Sequence, residues 1–89
     1  MKVKVQNMIS PRSGNEVANQ FMIYSGSSVY FQSYSTVIAK KDFNGKVTLD
    51  PNYAYSATTG KYRNEFLREG IAETRKKIEN GTYTIEDLN

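Results

Sequence analysis

Apolar and polar residues alternate along the first half of the chain, and then the period changes. From Lys2 to Ile9, Val3 and Val5 fall on one side and Lys2 and Lys4 on the other, the two-residue repeat of a strand. Ser10 to Glu16, "SPRSGNE", reads as a loop from its proline, glycine, serine and asparagine. Val17 to Tyr24 reads as a second strand, with Phe21 and Ile23 inward and Met22 and Tyr24 on the opposite side. Gly26 marks a hairpin turn within Ser25 to Ser28. Val29 to Lys41 is the longest β-like stretch. Val29 and Phe31 share a face there, and the serines around Tyr34 mark a bulge or a bend. Asn44-Gly45 signals a tight hairpin, Val47 and Leu49 a short returning strand, and Pro51-Asn52 its end.

The second half carries helical signals. A helix begins near Ser56 or Thr58, with Thr59, Tyr62, Phe66 and Leu67 as a narrow apolar stripe. Gly70 interrupts it, so Ile71 to Asn80 reads as a second helix, stopped by Asn80-Gly81 and supported by Glu73 four residues before Lys77. Tyr83, Ile85 and Leu88 are apolar points that latch onto the sheet. The expected fold is therefore a single compact α+β domain, residues 1–89. It has an antiparallel meander of about four strands and two short C-terminal helices packed on one face.

Composition narrows the chemistry. Neither cysteine nor histidine occurs, which removes disulfides, thiol catalysis, the usual zinc sites and any histidine-based triad. No cofactor is indicated. Seven tyrosines supply apolar area while keeping a polar tip, which suits a core rim or a binding face. The amino terminus lacks the apolar run of a signal peptide, and no stretch is long enough to cross a membrane. A cytoplasmic, membrane-free protein is expected. The net charge of +3 permits contact with nucleic acid without requiring it.

Candidate sites follow from charge placement. "TTGKY" fails as a phosphate-binding loop, because Tyr55 and Tyr62 stand where that motif needs glycine and a hydroxyl residue. Glu65, Glu69 and Glu73 recur at four-residue steps, but the interleaved Lys61, Arg68 and Lys77 make them a mixed solvated face. No catalytic group stands out, so no enzyme activity is expected. Lys61 and Arg63 lie in the first turns of the first helix, where a cation is unfavourable. With Ser56, Thr58 and Thr59 they outline an anion cradle, unless the hydroxyls only cap the helix and both long side chains swing away into solvent or pair with the sheet. Lys40, Lys41 and Lys46 flank the Asn44-Gly45 hairpin, and Arg75, Lys76 and Lys77 lie on the second helix. Near Tyr30 and Tyr34, these six make direct nucleic-acid binding the alternative reading.

Three segments, "ANQFMIYSGSSVYFQSYSTVIA", "YSATTGKYRNEFL" and "TRKKIENGTYTIEDLN", carry a resemblance. They resemble small proteins encoded by phages and plasmids of Gram-positive bacteria, a family of unknown function, over most of residues 18–89. The resemblance implies a mobile-element accessory protein acting in a bacterial cytoplasm. Small proteins of that kind often work by occupying a surface on a host macromolecule, as inhibitors of CRISPR nucleases do. The expected activity is binding, with possible inhibition, of a host protein or nucleoprotein. Tyr30, Tyr34, Lys61, Arg63 and Arg68 are the candidate contact residues.

Overall fold

The computed structural model describes residues 3–89, so Lys2 of the first expected strand lies outside the described residues. Among them, six strands form one sheet whose spatial order follows the chain. The strands are β1 (Val3–Ile9), β2 (Glu16–Ser25), β3 (Ser28–Ser33), β4 (Thr36–Asp42), β5 (Val47–Leu49) and β6 (Tyr83–Ile85). Helices α1 (Ala57–Leu67) and α2 (Ile71–Glu79) separate the last two strands. The α+β class holds, but the sheet has six strands where the alternation suggested about four.

Two features account for the difference. Residues 29–41 are two strands rather than one, because Tyr34 takes a left-handed φ of 56° and turns the chain between β3 and β4. The chain bends at Tyr34, and the bulge lies before it, where the β3–β4 register shifts between Phe31 and Gln32. At the other end, Tyr83–Ile85 pairs parallel to β5 as a strand, with Val47 opposite Tyr83 and Leu49 opposite Ile85. Every other neighbouring pair is antiparallel. Parallel neighbours need a long crossover, about a dozen residues or more, and α1 and α2 are that crossover. With a single crossover, both helices land on the same side of the sheet.

Register then decides which residues go under the helices. Phe31 stacks against Phe66 of α1, ring centroids 5.9 Å apart, so its side of β3 is the helix side. Met22 pairs with Phe31, and Tyr24 with Val29, which puts Met22 and Tyr24 beneath the helices. Phe21 and Ile23 therefore point to the helix-free side, reversing the sequence expectation. Both faces of β2 carry apolar residues, so alternation alone could not distinguish them.

The core comprises Phe31, Ile38, Ala39, Val47, Leu49, Tyr62, Phe66, Leu67 and Tyr83, with Met8 and Val29 at its margin. Each large side chain fully buried there contributes about 1.5–3 kcal/mol. The α1–α2 corner is held by a carboxylate. Glu69 accepts from Lys77 Nζ at 2.6 Å, from the Tyr83 hydroxyl at 2.9 Å and from the Thr74 hydroxyl at 2.8 Å. Lys77 thus pairs with Glu69 across the helix junction and not with Glu73. Among the described residues, no helix is long and apolar enough to cross a membrane.

Candidate functional site

The start of α1 is built as a cap. Ser56, in extended conformation, accepts the Thr59 N–H at 3.1 Å and donates its hydroxyl to Thr59 Oγ1 at 2.9 Å. Thr59 is fully buried, and its hydroxyl also meets Ser33 on β3 at 2.8 Å. These polar contacts fasten the helix to the sheet. Thr58 and Lys61 face solvent, with Lys61 Nζ 5.4 Å from the Tyr62 ring. Arg63 does not join them, because it is only 2% exposed. Its guanidinium lies beneath Gly60, donating to the Tyr53 carbonyl at 2.6 Å and to Asn64 Oδ1 at 2.8 Å. Burial lowers its pKa. The expected cradle is corrected on that ground: Ser56, Thr59 and Arg63 point into the protein, and only Thr58 and Lys61 remain outward. The positive charge tolerated in the first turns of α1 is a buried structural arginine beside a solvated lysine.

The six basic residues of the nucleic-acid reading separate in the same way. Lys41 points to the helix side, donates to the Phe66 carbonyl at 3.0 Å and sits 4.7 Å from the Phe66 ring. Burial, followed by the nearby Arg68, lowers its pKa. Lys40, its neighbour on the strand, projects to the helix-free side, 5.9 Å above the Tyr30 ring and 3.8 Å from Asp42. Lys46 is exposed in the β4–β5 turn, and Lys77 is engaged by Glu69. Arg75 and Lys76 face solvent on α2. The fold divides this set between opposite sides of the sheet and does not gather it into one stripe. Arg68 is exposed at the end of α1, and Tyr34 is half-exposed in the β3–β4 turn.

What the fold does assemble is the helix-free face of β1 to β4. Cross-strand register puts Val5, Ile23, Tyr30 and Lys40 in one row. Asn7, Phe21, Gln32 and Val37 form the next row, and Val3 lies beyond, beside Ser25. Val3 and Val5 are 60% and 57% exposed, and Phe21, Ile23, Tyr30 and Val37 are half-buried. On β1 the polarity is inverted relative to the helix layer, since Lys4 and Gln6 share the helix side while the valines face away. Of the sequence candidates only Tyr30 and Lys40 belong here. Val3, Val5, Phe21, Ile23 and Val37 were not singled out. Their signal was the alternation itself, which is silent about the side the helices would take.

An open hollow of about 390 Å³ lies at one end of the sheet, lined by Ser35, Thr36, Asp50, Pro51, Asn52, Asp87 and Asn89. Its buried carboxylate is already occupied. Asp50 accepts from Leu88 N–H at 2.9 Å, Asn89 Nδ2 at 3.0 Å and Asn52 N–H at 2.9 Å. Burial pushes that carboxyl up, but these bonds outweigh it and hold its pKa below the ordinary value. Asp50 anchors the C-terminal tail.

The chain belongs to a family of unknown function (DUF8033), which it matches over residues 3–82. No curated protein and no solved structure matches it.

Proposed function

We propose that this member of the DUF8033 family is a non-enzymatic binding protein that docks a host protein on the helix-free face of its sheet and inhibits it by occupying the contacted surface. One observation carries this reading: Val3, Val5, Phe21, Ile23, Tyr30 and Val37 form an apolar and aromatic face with no helix over it among the described residues. Contiguous apolar surface of this kind marks interaction sites, and tyrosine is among the residues that dominate binding energy. The charge on this face favours protein over nucleic acid. Its lysine, Lys40, lies beside Asp42, whereas a polyanion needs several uncompensated cations in a row. The resemblance to small phage and plasmid proteins makes a bacterial host macromolecule the expected target, with the nucleoprotein and direct nucleic-acid readings as alternatives.

The test compares capture from host lysate by the wild-type protein, by an Ile23→Asp, Tyr30→Ala variant, and by a Lys61→Ala, Arg68→Ala variant. Circular dichroism melts verify that all three are folded. Loss of a reproducible protein partner in the first variant and its retention in the second supports the sheet face. The reverse pattern assigns docking to the helix side and overturns the reading. A salt-sensitive shift of DNA or RNA by the purified wild type, lost with Lys40→Ala, establishes the nucleic-acid alternative instead.

A further inference from the structure

We propose that β1 pairs antiparallel with β1 of a second copy across a two-fold axis at Val5, joining two sheets edge to edge, whatever docks on the helix-free face. Among the described residues, β1 pairs only with β2 and ends the sheet. Sheet edges are normally blunted by short strands, proline, charged side chains such as lysine, bulges or covering elements. The opposite edge, β6, is three residues long and packs beside α2. By contrast, β1 is seven residues long, contains no proline and is exposed at Val3, Lys4, Val5 and Gln6; its bulge is confined to the Asn7–Ile9 end, and Lys4 is the one charged residue along the strand. The helices pack on β3 and beside β6, and side chains on both faces of this edge are exposed, Val3 and Val5 on one and Lys4 and Gln6 on the other.

The register follows from the strand itself. The bulge between Asn7 and Ile9 leaves Val3–Asn7 as the regular part of the edge, and Val5 is its midpoint. Facing residues of antiparallel strands point to the same side, so a symmetric pair centres on Lys4, Val5 or Gln6. Centring on Lys4 sets two lysines directly opposite, which is unfavourable. Centring on Gln6 shifts the overlap toward the bulge. Centring on Val5 uses all five regular residues, places Val5 against its own copy, and sets Lys4 opposite Gln6 of the second copy. The valines then close the seam on the helix-free face, and the two apolar faces become continuous. Two strands bury less than the about 1,200–2,000 Å² of a standard interface, so the dimer is expected to be weak.

Sedimentation from about 10 μM to 1 mM tests this, a range suited to a weak interface. The result expected is a concentration-dependent monomer–dimer equilibrium that stops at the dimer, because a two-fold pairing consumes the free edge. A monomer throughout the range, or growth into larger species, overturns the proposal. Val5→Lys is expected to abolish the dimer while leaving the far-ultraviolet spectrum unchanged, since Val5 is more than half exposed. Dimerisation undiminished in that variant places the contact elsewhere and overturns it too. The chain has no cysteine, so Val5→Cys and Val3→Cys each introduce one unique thiol for crosslinking by an added oxidant. Val5→Cys is expected to crosslink to itself at least ten times faster than Val3→Cys, and equal rates exclude the register.

Discussion

The Tyr83 hydroxyl donates a 2.9 Å hydrogen bond to Glu69 Oε1, joining the last strand of the sheet to the turn between the helices. With Lys77 and Thr74 on the same carboxylate, that contact closes the α1–α2–β6 corner. It makes the corner sensitive to acid. Burial alone would raise the pKa of Glu69, but the bonds from Lys77, Thr74 and Tyr83 outweigh it and hold the carboxyl below its ordinary 4.5. A carboxyl depressed in the folded state stabilises the fold above its unfolded pKa, and the contribution is lost as pH falls through the folded value. Asp50, depressed by its tail contacts, acts in the same direction. Glu69→Gln is expected to lower stability by about 1.5–3 kcal/mol at neutral pH, the range for hydrogen bonds to a charged group. Melts from pH 7 to pH 2 should show that deficit shrinking in acid. A deficit that stays constant across the range would falsify the assignment.

At the alkaline end the sign is reversed. The hydrogen bond to Glu69 raises Lys77, and burial followed by the same carboxylate raises Tyr83. Both contributions are complete below the ordinary values of 10.5 and 10.0, and are lost as pH rises through the folded ones. Tyr83→Phe should therefore narrow the difference between melts at pH 8 and pH 11. An unchanged difference separates Tyr83 from the alkaline transition.

Asn89 acts as a substitute strand residue. Its Oδ1 accepts the Val37 N–H at 2.8 Å and its Nδ2 donates to the Val37 carbonyl at 3.0 Å. Asn89→Ala is expected to cost about 0.5–1.5 kcal/mol. The specific readout is amide exchange at Val37, which should accelerate more than at Ala39 in the middle of β4. Equal acceleration at both positions indicates general loosening and removes the specific role.

How much of this was legible follows from period and range. The Asn44-Gly45 hairpin, the break before α2 and the Tyr62–Phe66 stripe are local signals, and all three recur in the fold. The facing of Phe21 was not legible, because it depends on β3 register and on a crossover that lies far along the chain. Arg63 was misplaced for a related reason. A basic residue in a helix reads as solvated, and its burial depends on Gly60 leaving room and on a carbonyl ten residues earlier. Glu69 was placed on a solvated face, although three donors from elsewhere converge on it. The alternation of Val3 and Val5 was plain, but its meaning awaited the helix layer.

The backbone of α1 can be improved without touching its contacts. The nearest atoms to a Cβ at Gly60 belong to the Arg63 guanidinium, at 3.6 Å or more, an ordinary contact distance. Gly60→Ala is therefore expected to stabilise by about 0.5–1 kcal/mol, the cost of glycine in a helix interior. Arg68 ends the helix at φ 59° and ψ 42°, a conformation that glycine adopts freely. Arg68→Gly should stabilise by up to about 1 kcal/mol and also remove a like charge near Lys41. Urea midpoints should rise in both variants with an unchanged slope. A fall for Gly60→Ala means that Arg63 does not accommodate the added methyl.

Arg63 offers the sharpest test, because two effects of opposite sign act at one buried position. Its guanidinium is enclosed with no carboxylate bonded to it, and Nε has no partner. Removing the whole side chain deletes packing against Tyr53 and the bond to its carbonyl, and leaves a cavity. Arg63→Ala is expected to destabilise by about 2–4 kcal/mol. Arg63→Met keeps most of the volume and removes the desolvated charge, and such replacements are often neutral or stabilising. The loss of the Tyr53 bond, about 1 kcal/mol, works against it. The methionine variant is therefore expected to retain at least half of the stability lost in the alanine variant. Lys61→Ala, two residues away and facing solvent, should stay within about 0.5 kcal/mol of wild type. Equal losses for alanine and methionine would show that the hydrogen bonds of the guanidinium outweigh its packing. Arg63 would then be held for its polar grip on residues 53 and 64.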